Sequence, residues 1–245
     1  MSAVAIAVER LTKRFGGLRA VDGVSLGVAP GERRALIGPN GAGKTTLFHC
    51  ISGTLKVSSG TIALFGQDVT RLEENARTAL GMGRTFQISN LFDELTVREN
   101  LALALLGKSA RKWSLFRRAD LRGERIEQGL AEAALAARAD APVDTLSHGE
   151  RRQLELALAL ATDPRVLLLD EPCAGLSPRE RQDFSRQIAA LPRAVTMVLI
   201  EHDMDIALNL ADSVTVLHNG AVIFEGSPEE VQRNPQVREV YFGKL

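Results

Sequence analysis

Apolar and polar positions alternate differently along the chain, and the change in rhythm divides it into segments. Val4–Val8 and Val24–Val28 read as strands, Pro30-Gly31 as a turn, and Arg34–Ile37 as a strand that runs into a glycine-rich loop. Lys44–Ile51 then takes helical spacing and stops at Gly53, and Thr61–Phe65 is a short strand. From Thr96 to about Thr162 the spacing is helical and rich in Ala and Leu. Thr96 with Glu99, and Ser147 with Glu150, have the spacing of a capping box, which satisfies the free N–H groups at a helix start, and Pro164 ends the second helix. Val166–Leu169 is an unbroken apolar run, the signature of a strand buried on both faces, and Val195–Ile200 reads the same way, with the helical stretch Arg179–Leu191 between them. Such a β-α-β succession implies a parallel sheet. Val214–Leu217 and Ala221–Phe224 flank Asn219-Gly220, a strong hairpin turn. Glu229–Lys244 reads as a peripheral helix followed by Pro235 and a short end. The pattern predicts a single α/β domain over 1–245, with a helical subdomain inserted at about 88–163 and no internal repeat.

Composition narrows the function classes. The 30 Lys+Arg balance 30 Asp+Glu, against the basic excess expected of a polyanion-coating protein, so no nucleic-acid partner is expected. Apolar residues make up 45% and aromatic ones 4%, which calls for an aliphatic core. No segment reaches the roughly 20 apolar residues that span a bilayer. Met1–Arg10 shows no basic region ahead of an apolar stretch, so no secretory leader is expected. Cys50 and Cys173 form no CxxC pair, which excludes a cysteine zinc site or a disulfide scaffold and leaves both as packing residues. Lys108–Arg125 is locally basic around Trp113; it reads as a solvated helical surface, with lipid head groups or nucleic acid as the alternative.

Two segments carry chemistry. Gly38-Pro39-Asn40-Gly41-Ala42-Gly43-Lys44-Thr45 fits G-x-x-x-x-G-K-[ST] between a predicted strand and a predicted helix. Glycines let backbone N–H groups turn inward around phosphates, and the helix start adds its positive dipole end. Lys44 supplies a point charge to the outer phosphates, and the Thr45 hydroxyl can ligate Mg²⁺. The second segment is Val166–Leu169 followed by Asp170-Glu171. The carboxyl ends of parallel strands line the ligand crevice, which brings Asp170 near the phosphate loop as a Mg²⁺ ligand. Glu171 is then placed to orient water or take its proton. The bland readings, a glycine-rich turn and a surface acidic pair, each weaken beside the other motif.

A third segment, Leu146-Ser147-His148-Gly149-Glu150-Arg151-Arg152-Gln153, resembles the signature usually written LSGGQ. With it the chain resembles an ATP-binding-cassette (ABC) ATPase over essentially its whole length. That resemblance implies a phosphate-loop NTPase core of ABC type, with an antiparallel β subdomain and an inserted α-helical subdomain. It also implies roles for further residues: Phe15 stacks on adenine, Thr46 joins the ATP-binding loop, Gln87 is the Q-loop residue near Mg²⁺ and water, and His202 senses the γ-phosphate. Ser147, His148, Gly149 and Glu150 contact the ATP of a partner subunit in a head-to-tail dimer. His148 and Glu150 replace the usual Gly and Gln, and Ala174-Gly175-Leu176-Ser177, at the D-loop position, lacks the usual Asp. The departure at the D-loop position bears on communication between the two ATP sites.

Gln87–Phe92, the run LSHGERRQLEL, Ile200–Met204 and the ending Glu225–Tyr241 are similar to ATPase subunits of branched-chain amino-acid importers. This likeness implies ATP and Mg²⁺ as cofactors, a second ABC ATPase subunit, two transmembrane permease subunits and a solute-binding protein as partners. The expected location is cytoplasmic, peripheral on the inner face of the cell membrane. Urea or amide importers and the lipopolysaccharide-export ATPase share the style. A soluble cassette acting on ribosomes or DNA usually carries two cassettes in one chain or a long coiled-coil or zinc insertion, and none of these is read in this sequence.

Overall fold

A computed structural model describes residues 4–85, 91–107 and 119–242. In chain order the elements begin with β1 (Ile6–Phe15), β2 (Leu18–Val28), β3 (Arg33–Ile37), α1 (Lys44–Ser52), β4 (Ser59–Leu64) and β5 (Gln67–Asp68). There follow α2 (Glu74–Ala79), β6 (Met82–Arg84), α3 (Val97–Gly107), α4 (Ala119–Glu132) and, after two short 3₁₀ turns, α5 (His148–Ala161). The last part holds β7 (Val166–Asp170), α6 (Pro178–Ala189), β8 (Thr196–Ile200), α7 (Met204–Leu210), β9 (Ser213–His218), β10 (Ala221–Gly226), α8 (Pro228–Arg233) and α9 (Pro235–Phe242).

The chain divides into two compact units. Unit 1 takes the described residues of Met1–Arg84, Arg165–Pro172 and Leu191–Leu245 and contains two sheets. One is antiparallel, with order β2-β1-β4-β5, and in β2 Val24, Leu26 and Val28 alternate inward. The other has order β10-β9-β3-β8-β7-β6. Within it β3 pairs in parallel with both β8 and β9, and β7 with both β8 and β6. Every residue of β7 and β8 is buried, as expected for strands covered on both faces. A core of aliphatic side chains, with Phe48 of α1 fully buried, is shared by residues of both sheets.

Some elements depart from the pattern along the sequence. The two segments expected as separate short strands form one long hairpin, because β1 is interrupted by register shifts and Arg10 at φ +44° breaks its alternation. Helix α2 and strand β6 are too short to carry a period. Pro235 opens α9 rather than a short end: its missing N–H costs nothing at a first helical position, and Asn234 caps the helix through Gln236 N–H at 2.9 Å. Asn219 and Gly220, at φ +48° and +81°, make the expected hairpin turn.

Arg77 of α2 is buried and ends helix α1. Its Nη1 donates to the Cys50 and Ile51 carbonyls at 2.8 and 2.6 Å, and its Nε to Leu72 O at 3.0 Å. These are carbonyls that a helix terminus leaves without intrahelical partners.

Unit 2 takes the described residues of Thr85–Pro164 and Cys173–Ala190 and is helical, with its own core of Val97, Leu101, Leu130, Leu135, Val143 and Leu154 among others. The segment expected as the inserted subdomain, 88–163, falls within its first stretch. Buried Asn100 ties the start of α3 together, accepting from Phe92 N–H at 2.9 Å and donating to Thr96 O at 3.0 Å.

Burial pushes the Cys50 thiol up to about 11, because the core penalises the thiolate. In native protein at about pH 8, dithionitrobenzoate should leave Cys50 unmodified until denaturant is added. Mass-spectrometric mapping of a native adduct at Cys50 would contradict that packing.

Candidate active site

Strands β3, β8 and β7 lie side by side and parallel, so their carboxyl ends emerge together. Adjacent strands are about 4.8 Å apart, which puts three predicted segments on one rim of unit 1. The phosphate loop follows β3, Glu201-His202 follows β8, and β7 ends in Asp170-Glu171.

The loop is held open by its glycines. Gly38 and Gly43 have φ +151° and +99°, and a Cβ there would come within 2.2 Å of Leu217 O and 2.3 Å of Ala20 O respectively. Gly41 also has positive φ, while Asn40 and Gly41 are exposed at the loop tip. Helix α1 starts with Gly43 as N-cap, with no side-chain cap and no acidic residue in its first turn. Its N–H groups therefore suit an anion supplied from outside. Lys44 is buried and folds over the loop, donating to Gly38 O at 2.6 Å and Pro39 O at 3.0 Å. Burial holds the Lys44 ammonium below its usual range, opposed by the Glu171 carboxylate. Thr45 and Thr46, next on α1, are half-buried.

Asp170 is 1% exposed, and neither of its buried carboxylate oxygens has a hydrogen-bond partner. The Arg84 guanidinium and the His49 ring each stand 3.9 Å from its Oδ2. Burial raises the Asp170 pKa; Arg84 opposes the rise and Glu171 adds to it. A dry carboxylate with unfilled lone pairs, facing a loop built for phosphate, fits a divalent cation. Glu171 has φ +48°, the left-handed region that few side chains adopt, and its N–H donates to Ile200 O at 2.9 Å. This bend turns its side chain to His202, whose Nε2 donates to Oε1 at 2.7 Å. Glu201 is buried and accepts from His202 N–H at 3.2 Å. Asp203 caps α7, fixing where the chain turns after His202.

Phe15 ends β1 with its ring 46% exposed, and Lys13 Nζ lies 5.0 Å from the ring centroid. An open aromatic face suits stacking by a base. In unit 2, Ser147 is the N-cap of α5: its Oγ accepts from Glu150 N–H at 3.2 Å, and Glu150 Oε2 accepts from Ser147 N–H at 2.7 Å. Glu150 is further paired with Arg138 at 3.2 Å, so its carboxylate serves the helix start. Accepting leaves the Ser147 hydroxyl proton available to donate. His148 and Gly149 are the first two residues of α5. Gln87 lies outside the described residues.

The family described as ABC transporter matches residues 21–174, well over half of the chain. The chain belongs to the ABC transporter family. A second family, described as Branched-chain amino acid ATP-binding cassette transporter, matches residues 221–244 of this ABC cassette. The high-affinity branched-chain amino acid transport ATP-binding protein BraF of Pseudomonas aeruginosa is 40% identical over 256 aligned positions, covering 100% of both chains. LivG of Escherichia coli, named for the same transport, is 39% identical with the same coverage. A solved ATP-binding cassette of an ABC transporter in its ADP conformation superposes with TM-score 0.84 at 32% identity, covering 100% of both chains. A dimeric cassette in a post-hydrolysis state bound to ADP and Pi gives TM-score 0.79 at 26% identity, over 91% of this chain and 98% of that one.

The two basic side chains beside Asp170, His49 and Arg84, carry no signal in the sequence for that placement. Arg84 opens the segment 84–87 that ends in the Q-loop residue but has no role of its own there, His49 lies in no motif, and both reach Asp170 because α1 and β6 flank β7 in the fold. A raised carboxyl pKa means the folded state holds the proton more tightly than the unfolded chain. Stability from Asp170 is thus present in acid and lost as pH rises. At neutral pH, Asp170→Asn should stabilise the nucleotide-free protein by about 1–3 kcal/mol, seen as a melting temperature a few degrees higher. An unchanged or lower melting temperature would show that the carboxylate is compensated.

Proposed function

We propose that this chain is the ATP-hydrolysing subunit of an ABC importer for branched-chain or related small amino acids. The observation that carries the hydrolytic half is the Glu171–His202 contact at 2.7 Å beside buried Asp170. The solute class is supported by the match of residues 221–244 and by the names of BraF and LivG.

ATP stacks its base on Phe15 and lays its phosphates in the loop Gly38–Thr46, where Asn40, Gly41 and Gly43 shape the turn. Lys44 leaves the Gly38 and Pro39 carbonyls for the phosphate oxygens, a transfer from neutral acceptors to charged ones. Thr45, Asp170 and Gln87 would hold Mg²⁺, which when bound offsets the charge of the outer phosphates. Glu171 accepts the proton of the attacking water, and His202, donating to Glu171, keeps that carboxylate facing the reacting group. Gln87 orients the water.

Ser147, His148, Gly149 and Glu150 form the start of α5 that faces the ATP of a second cassette, either another copy of this chain or a paralogue. Two permease subunits convert closure and reopening into transport, with a solute-binding protein delivering the amino acid. Among the described residues no helix is long and apolar enough to cross a membrane; the permeases hold the cassette at the inner face.

Glu171→Gln should bind Mg-ATP, assemble with its partners and hydrolyse at least a hundredfold more slowly. Normal turnover by that variant would remove Glu171 from its role. Captured in gentle detergent with Mg-ATP, it should bring down two multi-span permeases and a cassette. Ribosomal or DNA-repair proteins without a membrane partner would overturn the transport reading. Ser147→Arg should block ATP-driven association of cassettes while nucleotide still binds at Lys44; association at the wild-type level would remove α5 from the composite site.

A further inference from the structure

His148 replaces a glycine of the usual signature, and the segment 173–177 lacks the usual aspartate. Within unit 2 these two departures meet. The His148 ring lies on segment 173–177, with Nε2 3.3 Å from the Ala174 carbonyl. A carbonyl only accepts, so Nε2 carries the proton and donates. Gly175 adjoins the same ring: it has φ +76°, and a Cβ there would fall 2.8 Å from His148 Nε2 and 3.3 Å from Cδ2. The histidine fits because position 175 has no side chain.

A second link runs beside the first. Glu180 closes the capping box of α6, accepting from Ser177 N–H at 3.0 Å and from the Ser177 hydroxyl at 2.5 Å. The Gly149 backbone N–H also bonds this carboxylate, and a Cβ on Gly149 would fall 2.7 Å from Glu180 Oε1. The starts of α5 and α6 therefore share one carboxylate, and the imidazole spans the remaining gap. In sequence Cys173 follows Glu171-Pro172 directly, so the chain passes from the catalytic glutamate straight into the segment that His148 grips.

We propose that His148 is a positioning residue: with Gly175 it forms a matched pair that sets the start of α5 by the segment leaving Glu171. The pair does in this chain what the absent aspartate and the signature glycine leave undone. The proposal rests on the ATPase reading above for its effect on turnover, and on geometry alone for the pairing.

Two measurements test it. In the assembled transporter, His148→Ala should lower kcat for ATP about tenfold, while nucleotide binding by the purified chain alone, which uses the Lys44 side, keeps its affinity within about twofold. His148→Gln, whose amide can donate to the Ala174 carbonyl, should restore most of the loss. An unchanged kcat in His148→Ala, or no recovery in His148→Gln, overturns the positioning role. On the purified full chain, urea denaturation of His148→Ala, Gly175→Ala and the double variant reads the pairing itself. The new methyl collides with the ring only when the ring is present, so the double variant should lose less stability than the sum of the singles. A Gly175→Ala chain that fails to fold while the double variant folds gives the same support, and additive losses overturn the pairing. A wild-type transporter that does not hydrolyse ATP would sink the parent reading, and the denaturation cycle would still decide this one.

Discussion

A carboxylate kept dry and without a hydrogen bond at the end of a buried strand is a standing cost, and the fold is arranged around it. Asp170 reaches its place because β7 is covered on both faces and flanked by β6 and β8. The same flanking puts the phosphate loop and His202 on neighbouring carboxyl ends. The Arg84 guanidinium and the His49 ring stand near the carboxylate without bonding it. Arg84 instead spends its hydrogen bonds on Thr54 and Ser52 at 2.7 and 3.3 Å and lies 5.4 Å from the Phe48 ring centroid. The group is thus partly compensated at long range and left open at short range, the condition in which an arriving cation gains most.

The strain at Glu171 belongs to the same economy of placement. An extended residue at the end of β7 would continue the strand direction; the left-handed turn instead directs the side chain to His202. Anchorage comes from both sides, through the Glu171 N–H on the Ile200 carbonyl and through the cap of Asp203 on α7. In unit 2 control passes to helix starts. Capping boxes at Ser147 and Ser177 fix where α5 and α6 begin to within a residue, and chemistry that uses backbone N–H groups needs that accuracy.

Much of this was legible in the residues. The phosphate loop, the apolar runs Val166–Leu169 and Met197–Ile200, the two capping boxes at Thr96 and Ser147 and the Asn219-Gly220 turn each carry a local signal with one physical meaning. The long β1–β2 hairpin was not legible, because bulges scramble the two-residue period on which a strand is recognised. Nor were Arg84 and His49 beside Asp170, since their approach depends on strand order, which no single segment encodes. The grip of His148 on Gly175 joins residues far apart in sequence; taken singly, one looked like a signature substitution and the other like a loop glycine. The solute class came from likeness along whole segments rather than from any chemistry-bearing residue.

Helix α1 has its two ends fastened by other parts of unit 1. At one end Gly43 wedges against the Ala20 carbonyl; at the other Arg77 grips the last carbonyls. Nine residues make a rod about 13 Å long. Fastened that way, it is braced against sliding along its axis and against unwinding at its last turn. The phosphate loop and α2, which leads directly into β6 and Arg84, are thus tied to the two ends of one short rod. A push at the loop end of that rod would bear on Arg77 at the other, as a load bears on a strut.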